Sequence, residues 1–275
     1  MPLIYRYSLF IVIALTLTLD CSASDSTIQS SLNSSSSILD NFYLNYFGIY
    51  HGASMNHLAS PRELDNRGNP SKFMINFDSE ITAAYLFSPE IGIGPDIPFL
   101  LVPVVGQGAI LGDVGIKAFD RKTLTTNNFT LYTNLIIQAP TSKASQAHNM
   151  TFAIKTTPYF LYHFPQTRFT MGVWSEAKTY LGVTSDKSFK LYAAPYLSYR
   201  IHPTFSVNLE YEYETHHNVG TSFSDFTGYQ SDFQPGVVWN VSPHITFNPY
   251  LQVFTNSRIS LDRTALGAIF NATLL

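Results

Sequence analysis

From Phe205 to Glu214 the chain reads FSVNLEYEYE, with Phe, Val, Leu and two Tyr on odd positions and Ser, Asn and three Glu on even ones. A period of two is the geometry of a β-strand, whose successive side chains point to opposite faces. A helix, repeating every 3.6 residues, could not keep the two sets apart. One face of this strand is therefore wholly apolar or aromatic, and the other carries Glu210, Glu212 and Glu214 in succession. Carboxylates in a row exclude a dry setting, because an unpaired buried charge costs more than a fold can offset. The strand has to separate an apolar medium from water.

The same alternation recurs from Asp40 to the C-terminus, where a helical period is hard to find. Alternating runs bounded by turn residues predict about twelve strands, at 42–52, 73–87, 90–101, 109–120, 128–138, 150–163, 167–179, 188–201, 204–215, 227–241, 244–255 and 263–274. The connections are of two kinds. FSPE (Phe87 to Glu90), FPQT (Phe164 to Thr167), IHPT (Ile201 to Thr204) and VSPH (Val241 to His244) are tight and proline-bearing. Gly52 to Lys72, Ala139 to Asn149 and Thr215 to Phe226 are long and polar, RKTLTTN (Arg121 to Asn127) is intermediate, and the link after the third strand is apolar.

Short turns at one end and long loops at the other resemble bacterial outer-membrane β-barrel proteins as a class, porin-like in pattern, over residues 41–275. The resemblance implies an all-β, transmembrane, antiparallel up-and-down β-barrel of about twelve strands in a Gram-negative outer membrane. It implies the lipid bilayer and the outer-membrane insertion machinery as partners, and it names no single family. A soluble sandwich shows the same alternation, but it turns a face of mixed charge to water. Here only 13% of residues are charged, and the polar faces are mostly Thr, Asn, Gln, Ser and Tyr.

Phe87, Tyr162, Phe164, Tyr199 and Trp239 fall near the short turns, where an aromatic girdle is expected. Two features fit less well. Pro158, Pro195, Pro235 and Pro249 interrupt strands on the apolar parity, although proline cannot donate to a ladder. The chain also ends AIFNATLL instead of on an aromatic residue, so recognition by the insertion machinery would rest on Phe270 and the final leucines.

Arg6, the apolar run from Ser8 to Leu19 and the small residues CSAS read as a cleaved signal over 1–23, too short for a membrane helix. Residues 24–40 form a Ser-rich flexible lead-in. Cys21 is the one cysteine and lies inside the signal, so the mature chain would carry no thiol for disulfides, metal sites or catalysis.

A net charge of −3 without a basic run excludes a nucleic-acid surface. No His-x-Ser pair of the kind that outer-membrane phospholipases resemble one another in is present; the nearest phrase is HGASMNH, with His51 and Ser54. His216 and His217 offer no third metal ligand in sequence. The strand parity instead predicts a wet lumen lined by Asp78, Glu80, Asp96, Asp113, Glu176, Glu210, Glu212, Glu214 and Asp232, with Lys117, Lys155, Arg168, Lys178, Lys190 and Arg200. The tight turn at His202 and Pro203 predicts Tyr196 opposite Glu210, Ala194 opposite Glu212, Tyr192 opposite Glu214 and Lys190 diagonal to Glu214. The expected function is a passive, non-enzymatic channel for small solutes or ions, without a cofactor, through a mildly acidic lumen. The alternatives are a closed barrel whose loops bind a surface partner and, third, a barrel-embedded hydrolase.

Overall fold

The computed structural model describes residues 41–103, 108–256 and 258–275; the expected signal segment and the Ser-rich stretch lie outside the described residues. The strands are β1 (Phe42–Ser54), β2 (Arg62–Leu64), β3 (Pro70–Met74), β4 (Asn76–Leu86), β5 (Ile91–Leu101), β6 (Ala109–Leu111), β7 (Gly115–Thr125), β8 (Phe129–Gln138), β9 (Phe152–Thr156) and β10 (Tyr159–His163). They continue as β11 (Phe169–Leu181), β12 (Lys187–His202), β13 (Phe205–Asn218), β14 (Phe226–Ser242), β15 (Ile245–Phe254) and β16 (Thr264–Thr273), and a short helix, α1 (Lys143–Ala147), lies between β8 and β9.

Each long strand pairs antiparallel with its neighbours in sequence, and β1 pairs with β16 to close the sheet. Strands β9 and β10 are halves of one stave, both flanked by β8 and β11, while β6 is a flap on β5 and β2–β3 is a separate loop hairpin. The result is a closed antiparallel barrel of 12 staves. Closure removes the open edges that lipid does not tolerate.

The outward positions are apolar all round the wall: Ile93, Ile116, Ile137, Leu197, Leu209 and Phe233 are each more than a third exposed. A soluble monomer rarely exposes a contiguous apolar patch above about 600 Å²; a belt around the whole barrel requires hydrocarbon. The barrel is a transmembrane one. Phe87, Trp239 and Tyr199 are exposed at the short-turn end, with Tyr199 against Phe169 at 4.8 Å between ring centroids. Both chain ends of the barrel lie there too, since Phe42 pairs with Tyr85 beside the first short turn and Asn45 pairs with Thr273.

The prolines face outward within the register: Pro195 lies opposite Val173, Pro235 opposite Leu209 and Pro249 opposite Ala268. Each removes one ladder donor, and the pairing of β12 with β13 lapses at Ala194 and Pro195. Pro158 divides β9 from β10; its carbonyl still accepts from Ser175 N at 3.1 Å and from Ser175 Oγ at 2.9 Å, which keeps the stave in register.

Two expectations change. The fourth stave is 115–125 and not 109–120, because β6 folds back on β5 and the RKTLT segment continues the ladder. Asp113 is not on a strand of the wall: it precedes β7 and caps the loop around α1, accepting from Ser142 N at 2.9 Å and from Ser145 Oγ.

Candidate functional site

The inner face is best read along its cross-strand rows, which the register fixes. One row runs Lys117, Ile136, Lys155, Lys178, Lys190 and His216 across β7, β8, β9, β11, β12 and β13. Four lysines thus share one arc of the wall. Adjacent strands are about 4.8 Å apart, so like charges at this spacing require counter-charges.

Carboxylates meet most of them. Lys117 Nζ lies 2.5 Å from Glu80 Oε1 and 3.4 Å from Asp96 Oδ1, and Lys155 Nζ lies 3.7 Å from Glu80 Oε2. Lys190 Nζ sits between Glu176 Oε1 at 3.3 Å and Glu214 Oε2 at 2.9 Å, and Glu214 Oε1 pairs with His216 Nε2 at 2.5 Å. Among the described residues Lys178 has no such partner and its Nζ lies 4.8 Å from the Tyr180 ring centroid.

Below the lysine arc the wall on β13 and β14 is acidic and lacks cations. Glu212 lies opposite Asp232, and Glu210 opposite Gln234. Tyr192 Oη donates to Glu212 Oε1 at 2.5 Å, and Gln230 Nε2 lies 2.8 Å from both Glu212 Oε2 and Asp232 Oδ2. Gln234 and Gln252 complete the shell of Asp232 at 2.9 and 3.2 Å. Amides and a phenol, all neutral, hold this group, so among the described residues no cation of the wall is paired with it.

The β12–β13 register is the one that the tight turn dictates, with Tyr196 opposite Glu210 and Tyr192 opposite Glu214. Asp78 is exposed although strands surround it, so water reaches the lumen at its level. Arg168 and Arg200 do not line the middle of the lumen. Both are exposed beside the short turns, where Arg168 Nη1 donates to Ile201 O at 3.4 Å. Parity gives their face and not their depth.

The long loops frame the other mouth. The β2–β3 hairpin leans over the β14–β15 side: Asn66 Nδ2 donates to Tyr229 O at 2.8 Å, and Gly68, at φ +73°, packs against the inward-facing Phe254. Glu63 of this hairpin accepts from Asn76 Nδ2 at 2.6 Å; burial pushes its carboxyl up to about 7, against the smaller opposing effect of that hydrogen bond. Ser54 is engaged in the loop, donating to Leu261 O at 2.9 Å, while Ser188 Oγ lies 2.6 Å from His217 Nδ1.

An outer membrane channel from Pseudomonas putida F1 is similar to this chain with a TM-score of 0.52 at 10% identity, over 89% of this chain and 100% of that one. The shared fold is that of an outer-membrane β-barrel. The NanC porin gives a TM-score of 0.46 at 10% identity, over 84% of this chain and 100% of its own, and LpxR from Salmonella typhimurium gives 0.42 at 11%, over 84% and 99%. No protein-family model matches the sequence, and no curated protein matches it.

Strand-by-strand parity misses the rows. Lys117, Lys155, Lys178 and Lys190 come into one arc only through four successive registers. It also misses the row of Tyr132, Tyr159 and Trp174, although Tyr192 and Tyr196 follow from the tight turn. The Tyr159 and Tyr196 hydroxyls are hydrogen-bonded. A usable signal was present: Tyr196 lies between Ala194 and Ser198 on the parity of Lys190 and Arg200.

Proposed function

We propose that the protein is a passive channel for small solutes or ions in a bacterial outer membrane, inserted by the outer-membrane assembly machinery. The observation that carries this reading is the asymmetry of the wet lumen: a lysine arc with its own carboxylates on one side, and Glu210, Glu212 and Asp232 without a cation on the other. Charged groups held in the wall of a narrow passage bias which ions enter. The unpaired acidic side makes the passage cation-favouring.

The test is conductance of the purified, folded protein in a planar bilayer under a salt gradient. A reversal potential on the cation-selective side is expected, and Glu210→Gln with Glu212→Gln should move it toward zero. A folded barrel that passes no current at any voltage would sink the channel reading and leave the fold untouched.

A further inference from the structure

We propose that the lumen holds a saccharide-binding site, with Trp174 as the stacking platform and the Glu210–Glu212 wall as the hydroxyl acceptor. The proposal rests on the reading of the lumen as an open, wet passage, and it names the solute class.

The site lies on two adjacent rows. In one, Tyr132, Tyr159, Trp174 and then Ala194 are followed by Glu212 and Asp232; in the next, Gly172, Tyr196, Glu210 and Gln234 succeed one another. Trp174 faces inward, on the parity of Glu176 and Lys178 and directly opposite Tyr159, yet it is 39% exposed. An indole left bare inside a barrel is a surface without its partner. Its neighbours are ordered: Tyr159 lies 5.6 Å from Trp174 and 6.2 Å from Tyr196 between ring centroids, the latter pair stacked at 16°.

Small residues make room for the aromatic side chains around the platform. Ala194, fully buried, occupies the position between Trp174 and Glu212. Gly172 lets Tyr196 lie flat on the wall, since a Cβ there would fall 2.5 Å from Tyr196 Cε1. Trp174 and Glu212 are two strands apart, or about 10 Å at the strand spacing of a sheet. A pyranose ring stacked on Trp174 would lie over that span, on the lumen side of Ala194.

The chemistry of the acceptors selects the ligand. Glu210 and Glu212 are hydrogen-bond acceptors, and Asn208, on the same face of β13, has its Oδ1 buried without a partner. An aromatic hydrocarbon would stack on Trp174 but leave Glu210 without a donor from the ligand. An anion would meet repulsion. A saccharide offers an apolar C–H face to the indole and a fan of hydroxyl donors to the carboxylates.

The test uses the folded full-length mature protein in detergent. The chain has two tryptophans, and Trp239 sits on the outer face near a short turn, so Trp239→Phe leaves Trp174 as the sole reporter. Maltotriose and chitotriose are titrated separately. At least one is expected to change Trp174 fluorescence saturably in the millimolar range, with Glu210→Gln weakening the effect about tenfold, as loss of a charged acceptor does. In a bilayer the same sugar should interrupt the current, with Trp174→Phe weakening the block and Trp174→Ala abolishing it. Should Trp174→Ala not fold, Trp174→Phe alone decides. No fluorescence change with either sugar, or a response to benzylammonium and not to sugar, overturns the proposal. The fluorescence arm needs no current: binding without conductance would refute the channel and keep the site, and conductance without binding would do the reverse.

Discussion

Lys178 stands directly opposite Lys155 across the β9–β11 ladder, and Lys190 stands opposite Lys178 on its other side. Like charges in direct register destabilise a sheet by about 0.2–1 kcal/mol. Lys155 and Lys190 have carboxylates at 3.7 and 2.9 Å, whereas Lys178 makes no direct ion pair among the described residues. Lys178→Met should therefore raise stability by up to about 1 kcal/mol in denaturant unfolding from detergent. It should also shift the bilayer reversal potential further toward cation selectivity. A loss of stability would show that Lys178 has a counter-charge in solution.

Lys190 is the opposite case. It bridges Glu176 and Glu214, whose side chains are only 17% and 11% exposed. Removing one member of an enclosed ion group leaves the others uncompensated, at a cost of about 3–5 kcal/mol, and less where water enters. Lys190→Met should be clearly more destabilising than Lys155→Met, which loses a single contact at 3.7 Å. Adding Glu176→Gln to Lys190→Met should restore part of the loss, a non-additivity read directly from a double-mutant cycle.

The contrast between these lysines explains what the sequence could and could not show. The alternation of FSVNLEYEYE, the proline turns and the long loops give strands, faces and ends, because those are local properties. The β12–β13 register was also legible, since the turn at His202 and Pro203 leaves little freedom. Which lysine meets which carboxylate depends on the accumulated stagger around the closed sheet, and Glu80 on β4 reaches Lys155 on β9 only because the barrel curves. Depth was equally hidden: Arg200 and Lys190 share a parity, yet one is exposed beside a turn and the other lies between two carboxylates. The aromatic row was obscured for a different reason. Trp174 reads as a further apolar residue until its inward parity is set beside Gly172 and Ala194, whereas the tight turn already places Tyr196 opposite Glu210.

Glycines inside the lumen separate two kinds of close approach. A Cβ on Gly172 would meet the Tyr196 ring, a side chain that can turn aside, whereas one on Gly94 would meet the Ala83 carbonyl and lie 2.6 Å from Ala84 Cα. Gly172→Ala should cost about 1–3 kcal/mol, typical of overpacking, and Tyr196→Ala in the same chain should recover much of it. Gly94→Ala has no such relief, because backbone must shift within the β4–β5 ladder. Heat-modifiable gel migration should show a large unfolded fraction for Gly94→Ala and a mostly folded one for Gly172→Ala.

The β2–β3 hairpin supplies a pH dependence at the mouth. Glu63 lies outside the membrane-spanning strands, and its carboxyl is pushed from 4.5 up to about 7, burial being the larger cause. The folded loop therefore holds a proton that the opened loop releases, over the window between those values. Where the folded form binds more protons, its stability falls as pH rises. The hairpin should be held best below about pH 4.5 and loosen progressively up to about pH 7, so Asn66 would leave Tyr229 more often at neutral than at acid pH. Amide hydrogen exchange at 62–74, corrected for the intrinsic pH dependence of exchange, should show protection decreasing across that window. Glu63→Gln keeps an acceptor for Asn76 without a titrating proton, and its protection should stay flat with pH; a variant retaining the wild-type profile would place the titration elsewhere.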